Sequence, residues 1–362
     1  MRIVVKIGSS SLVDSVGQRQ VGLLGQLVDD IAGAVALGHD VVLVSSGAIA
    51  TGLGILGHDR RPTELPALQA ASAVGQGELF ATWSSLFRLR GVRAGQVLLT
   101  MHDAAHRSSW VNARGTLEQL LAWRVVPIVN ENDTTATDEI TFGDNDALAA
   151  QVAVSLDADV LLLLTDTDGL YTEHPDAPGA ELITTVVDRS LLGRIDTATT
   201  GSHWGSGGMR SKVVAAEMAS SGGVVTHIAR ASSPGIVGRT IAGEHIGTRI
   251  ESDERRGSSF KLWLRYAKRA RGTVHVDDGA RAAIVERGAS LLPVGIASVS
   301  GSFHPGDAVD VATTAGDAFA KGIVEYSSAE LVRLAEDPDA ARGAPEAVHR
   351  DQLVLLEGTA VT

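Results

Sequence analysis

Short apolar runs bounded by glycine or polar turns recur through the first two-thirds of the chain. RIVVKI (2–7), DVVLVSS (40–46), GQVLLT (95–100), VVPIVN (125–130), DVLLLLT (159–165) and VVTHIA (224–229) are the principal ones. Runs of this length without alternation read as strands buried on both faces, hence a mainly parallel sheet. Helical periodicity fills the intervals. Val21, Leu24, Leu27, Val28, Ile31 and Val35 form one apolar stripe that ends at Gly38. Further helices are expected over 66–90, 109–123, 146–157 and 208–221, the last closed by Gly222 and Gly223. The expected fold is therefore α/β, a mainly parallel sheet sandwiched by helices.

The texture changes after about residue 250. The stretch 254–272 holds seven Lys/Arg, and short strands with Gly/Asp turns dominate from 273 onward. A small β-rich second domain is expected there. The expected boundaries are 1–255 for the first domain, 256–271 for a basic linker or a strand packed on the second domain, and 272–362 for that domain.

A length of 362 residues fits two domains. With no cysteine, disulfides, thiolate metal sites and a cysteine nucleophile are excluded. No signal peptide or bilayer-spanning run is evident, so a cytoplasmic protein is expected. The net charge of −12 argues against nonspecific binding to nucleic acid or anionic lipid.

Candidate chemistry lies in loops at the carboxyl ends of the strands, where such folds bind ligands. Three are glycine-rich: KIGSSSL (6–12), SSGAIATG (45–52) and GSGGMRSK (205–212). Neither G-x-G-x-x-G after the first strand nor the Walker A pattern is present, which weighs against a common dehydrogenase and a P-loop ATPase. GSGGMRSK precedes a helix, so its backbone N–H groups suit phosphate oxygens, with Lys212 one turn on. A flexible loop with a solvated lysine is the competing reading. Lys6 interrupts an apolar run and either meets an anion or snorkels to solvent. Two lysines, each beside a glycine loop, point to phosphate handling. The stretch 129–148 adds Asn130, Glu131, Asn132, Asp133, Asp138, Glu139, Asp144, Asn145 and Asp146. It could serve as metal site, general base or grip for a charged small molecule, although neither a histidine partner nor EF-hand spacing supports a metal. Asp146 or Asp144 could equally cap a helix.

In order along the chain, VVKIGSSSL, VSSGAIATG, GQVLLT, VPIVNEND, FGDNDALAA, LLLLTDTDGLYT and GSGGMRSK resemble the amino acid kinase family over about 255 residues, and within it the glutamate-phosphorylating members. Residues 276–311 and 347–356 resemble a PUA domain. The resemblance implies transfer of the ATP γ-phosphoryl group to the γ-carboxylate of L-glutamate, the first step of proline biosynthesis, with Mg2+ delivered by the nucleotide. It assigns catalysis to Lys6, Lys212 and Asp146. Ser46, Asn130, Asp133 and Asn145 would bind glutamate, Asn130 and Asp133 near its α-ammonium. Lys6, Gly8, Thr165, Asp166, Ser206, Gly207, Gly208, Met209, Arg210, Ser211 and Lys212 would hold ATP. Glu131 and Asp138 are left as solvated or structural. Proline as feedback inhibitor and a homo-oligomer are further expectations.

The competing functions are a kinase of another amino acid, such as aspartate, a proline-sensing regulator without catalysis, and a PUA-type RNA-binding protein. Lys6 and Lys212 speak against the regulator. Residues 272–362 carry six Lys/Arg against fourteen Asp/Glu, the reverse of an RNA-binding footprint.

Overall fold

The structure is a computed structural model of the chain. It describes all residues except 13–19, 59, 101–102, 104–106, 136–143, 189–191, 193–207, 253–258 and 357–362. The chain divides into two compact units, Met1–Ser259 and Phe260–Thr362.

The first unit opens with β1 (Arg2–Ile7), α1 (Ser9–Leu12), α2 (Val21–Ala36) and β2 (Asp40–Ser45). It continues through α3 (Ala48–Leu56), α4 (Leu65–Leu89), β3 (Arg93–Leu99), α5 (Arg107–Ala122) and β4 (Val125–Glu131). Then come α6 (Asp144–Ser155), β5 (Val160–Thr165), the short strands β6 (Leu170–Tyr171), β7 (Leu182–Ile183) and β8 (Thr185–Val186), and α7 (Met209–Ser221). β9 (Val225–Arg230), α8 (Ile236–Ile241) and β10 (Thr248–Ile250) complete it. One eight-stranded sheet runs in the order β3-β4-β2-β1-β5-β9-β10-β8. The pairings from β3 across to β9 are all parallel, and β10 runs antiparallel to β9.

Alternation along β1 explains both layers. Ile3, Val5 and Ile7 face α2, α4 and α8 in a core that includes Leu24, Ile31, Trp83, Phe87 and Ile236. The intervening Val4 and Lys6 lie on the opposite face, where α6 and α7 pack. β1 and β5 are buried along nearly their whole length, as unbroken apolar runs require when helices cover both faces.

Two expectations need correction. Val21 is 53% exposed and does not belong to the buried stripe of α2, which starts at Leu24. SSGAIATG is only partly a loop, because α3 begins inside it. Gly47 takes the left-handed conformation (φ 98°), and α3 follows with Ala48 to Leu53 all buried, so packing rather than propensity holds this glycine-containing run as helix. α3 then meets α4 at two glycines. A Cβ on Gly52 would collide with the carbonyl oxygen of Ala71, and one on Gly75 with that of Ala48. The two backbones touch there, and no side chain fits between them.

The second unit contains α9 (Ser259–Tyr266), β11 (Gly272–Val276), α10 (Asp278–Arg287), β12 (Ile296–Gly301), β13 (Ala308–Thr313), β14 (Ala318–Ile323), α11 (Ser328–Glu336), α12 (Pro338–Gly343) and β15 (Leu353–Leu355). Its five strands form a sheet in the order β12-β11-β13-β14-β15 over a core of Val274, Ile284, Phe303, Val311 and Leu331. The basic stretch expected as linker or strand contains a helix instead. α9 buries Leu262, Trp263 and Leu264, and Lys268 lies over the Trp263 ring at 5.6 Å. Among the described residues no helix is long and apolar enough to cross a membrane.

Candidate active site

The carboxyl ends of β1, β2, β4, β5 and β9 bring together Lys6, Ser45, Asn130, Thr165 and Arg230. Lys6 is paired in register with Val44 and Leu163, one residue short of the strand end. Its amine reaches Asp146, the third residue of α6, at 2.5 Å. Lys212, in the first turn of α7, approaches the other oxygen of the same carboxylate at 3.4 Å, and the Ser211 hydroxyl donates to that oxygen at 2.6 Å. Asp146 is fully buried, with Lys6 and Lys212 at 3% and 5% exposure.

This triad carries a net charge of +1 in a low-dielectric setting. Burial alone would raise the Asp146 pKa, but Lys212, Lys6 and the Ser211 hydroxyl outweigh it and hold the carboxyl at about 2. Burial pushes Lys6 below the usual lysine range, and Lys212 adds to that while Asp146 opposes it. One carboxylate between two ammonium groups leaves an uncompensated cation whose burial is costly until an anion arrives. Gly8 lies directly beside the Lys6 amine, since a methyl group on it would stand 3.6 Å from that nitrogen. As the third residue of α6, Asp146 stands inside the helix and not at its N-cap, and its oxygens face the lysines and Ser211.

A second cluster lies at the end of β4. The Glu131 N–H donates to the side-chain oxygens of Asn130 (2.9 Å) and Asn145 (3.2 Å), so one backbone hydrogen orients both amides. Asn130 Nδ2 donates in turn to Gln76 Oε1 at 2.6 Å. Asp133 Oδ2 accepts from the Ser72 hydroxyl at 2.5 Å. Burial raises the Asp133 pKa, opposed by the Ser72 hydrogen bond and the charge of Arg61. Ser46 is tied by its N–H to Ile7 O (3.2 Å), and Ser45 beside it accepts from Trp83 Nε1 (2.9 Å). Glu131 is buried at 5% exposure rather than solvated.

On the other side of β1, Thr165 is buried at the end of β5 and donates to Asp166 at 3.1 Å. Arg230 grips the next turn, with its Nε 2.6 Å from Asp168 Oδ1 and a hydrogen bond to the Asp166 carbonyl. Burial there is slight, and the Arg230 hydrogen bond is the largest influence holding Asp168 below the usual carboxylate range. Gly208 precedes α7, Met209 and Arg210 open it, and Arg210 is exposed. Ser206, Gly207, Asp138 and Glu139 lie outside the described residues, as does the side chain of Asp144. Among the described residues no three His, Asp or Glu side chains converge to hold a metal. Sequence reasoning did not single out Ser72, Gln76 or Arg230.

Comparison with known proteins bears on this arrangement. The amino acid kinase family model matches residues 1–230, and the PUA domain model matches 272–340. Glutamate 5-kinase of Salinispora arenicola is 44% identical over 98% of this chain and 98% of its own length. The Streptomyces coelicolor glutamate 5-kinase is also 44% identical, over 98% and 96%. A solved UMP kinase from Bacillus anthracis covers 70% of this chain and 96% of its own, with 17% identity and a TM-score of 0.47. The chain belongs to the amino acid kinase family, within it to the glutamate 5-kinases, and carries a C-terminal PUA domain.

Proposed function

We propose that the protein phosphorylates the γ-carboxylate of L-glutamate with ATP, giving L-glutamyl 5-phosphate and ADP, the first step of proline biosynthesis, in the cytoplasm. The observation that carries this reading is the buried Lys6–Asp146–Lys212 triad, net positive, beside an amino-acid subsite built around Asp133.

The chemistry follows from the substrates. A glutamate γ-carboxylate has a pKa near ~4.3 and is already ionised at neutral pH, so it attacks phosphorus without a general base. Catalysis then consists of positioning and neutralising charge on the phosphoryl group in transfer. Lys6 and Lys212 supply that charge, and Asp146 holds both amines in one place without cancelling them. Preorganised in this way, they need no rearrangement as charge shifts during transfer. Gly208, Met209, Arg210 and Ser211 at the start of α7, with Ser206, Gly207, Gly8, Thr165 and Asp166, form the nucleotide subsite, where a helix N-terminus favours phosphate. Mg2+ enters with ATP, held by its phosphates.

Asp133 is the partner for the α-ammonium, with Asn130, Asn145 and Ser46 completing the amino-acid subsite. Ser72 donates to one Asp133 oxygen, and the charge of Arg61 also acts on this carboxylate. Proline carries the same ammonium and carboxylate, and feedback inhibition by overlap at this subsite is part of the proposal, as is a homo-oligomeric enzyme. The test is a panel of amino acids with ATP, Mg2+ and hydroxylamine, which traps acyl phosphates as hydroxamates. A glutamate-dependent signal is expected. Preference for aspartate would reassign the substrate, and no signal with any amino acid would refute the kinase reading.

A further inference from the structure

We infer that Gln76, on α4, is a substrate-binding residue of the amino-acid subsite, presenting its Nε2 hydrogens to a carboxylate of the amino-acid substrate. This rests on the kinase reading above. The assignment of its amide follows from a chain of donors that starts at a group with no choice. A backbone N–H can only donate, so the acceptors of Glu131 N–H at 2.9 and 3.2 Å are the oxygens of Asn130 and Asn145. Asn130 then has its NH2 group toward Gln76, and the 2.6 Å contact requires Gln76 to answer with its oxygen. With Oε1 engaged by Asn130, the Nε2 group is the end of the Gln76 amide for which no hydrogen bond is seen among the described residues, and it offers a ligand two donors. A carboxylate is acceptor-only, whereas an ammonium is donor-only. Gln76 is thus set for the acidic end of the substrate, and Asp133 for the basic end. Gln76 is half-buried, at the border between the helix and the subsite, and is not closed into the core.

The placement of Gln76 is rigid for a separate reason. Gly75, its neighbour, is the residue at which α4 touches α3, and Ser72, one turn earlier on the same face, holds Asp133. The close crossing sets the position of the helix, and the two polar side chains flanking Gly75 each reach one member of the β4 cluster. Helix α4 forms a wall of the subsite.

Two substitutions separate direct contact from mere support of Asn130. Gln76→Ala removes the acceptor for Asn130 and the donors for substrate together. Gln76→Glu keeps the shape and the acceptor for Asn130 while removing the donors and adding a negative charge beside the substrate carboxylate. With the hydroxamate assay on the full chain, both variants are expected to raise the KM for glutamate by at least about tenfold. The KM for ATP is expected to stay within about twofold of wild type. A Gln76→Glu variant with wild-type glutamate KM would show that Gln76 acts only through Asn130 and would overturn the inference. Equal rises in both KM values would overturn it as well. Thermal melting confirms that each variant folds, and the isosteric Gln76→Glu decides alone if Gln76→Ala does not. Absence of glutamate-dependent activity in the wild type would defeat the kinase reading; wild-type activity with an unchanged Gln76→Glu KM would defeat this inference and leave that reading standing.

Discussion

Replacing Asp146 by Asn tests whether the buried triad is as strongly coupled as its geometry requires. Asn keeps the shape of the side chain and imitates a protonated carboxyl, so the loss equals the free energy favouring the charged form. The shift of Asp146 from 3.8 to about 2 corresponds to about 2 kcal/mol. Removing one partner from a buried ion pair sets an upper value of about 5 kcal/mol. Because the folded pKa is depressed, this contribution is fully present above the unfolded value of 3.8 and disappears as pH falls toward 2. Urea unfolding of wild type and Asp146→Asn, followed by tryptophan fluorescence at pH 7, 5, 4 and 3, should show a gap of about 2–5 kcal/mol at pH 7 and 5 that narrows below 4. Trp83, fully buried on α4, reports on this unit. A gap below about 0.5 kcal/mol at pH 7, or one of equal size at pH 7 and 3, would refute the coupling.

Other perturbations separate the roles of the two clusters. Lys6→Ala or Lys212→Ala should lower kcat by on the order of 10² or more, since their charge acts on the transition state; near-normal turnover would remove that lysine from the mechanism. Asp133→Asn should raise the KM for glutamate by about one to two orders of magnitude while changing that for ATP far less. A fall in kcat at unchanged glutamate KM, with an altered pH–rate profile, would make Asp133 a general base instead. Gly75→Ala should destabilise the first unit by roughly 3 kcal/mol or more, because the new Cβ meets the backbone of α3. A melting temperature equal to wild type would show that the helices separate at no cost.

Much of this fold could be read from apolar runs. The six expected strands, β1 to β5 and β9, lie within two residues of the runs that announced them, although β3, at the sheet edge, is largely exposed and not buried on both faces. In β1, buried from Ile3 to Ile7, one polar residue interrupts the apolar run. That interruption is Lys6. Its isolation among Ile3, Val4, Val5 and Ile7 marked it as a residue that needs an anion. Its partner, 140 positions away, left no comparable mark, because no spacing rule connects a strand lysine to the third residue of a distant helix. That pairing came from the family resemblance. Ser72 and Gln76 stayed hidden for a different reason. They are ordinary polar residues in a 25-residue helix, and they matter only because Gly52 and Gly75 let α4 lie against α3. α3 itself was obscured by its glycines, which read as a loop although they serve helix contact. The basic stretch near 255–271 misled by composition: its charges lie beside Leu262, Trp263 and Leu264, and burial of those three makes a helix of it.

The central claim is that the substrate's own γ-carboxylate is the nucleophile, steered to phosphorus by the two lysines. Glutamate labelled with 18O in the γ-carboxylate tests it in one measurement, with ATP, Mg2+ and hydroxylamine present. Attack on the γ-phosphorus makes a labelled oxygen the bridge of the acyl phosphate. Hydroxylamine then attacks the carbonyl carbon and expels phosphate with that bridging oxygen. Mass spectrometry should find one 18O-labelled phosphate for each glutamyl hydroxamate formed. Hydroxamate accompanied by unlabelled phosphate, or no glutamate-dependent hydroxamate, would contradict the account.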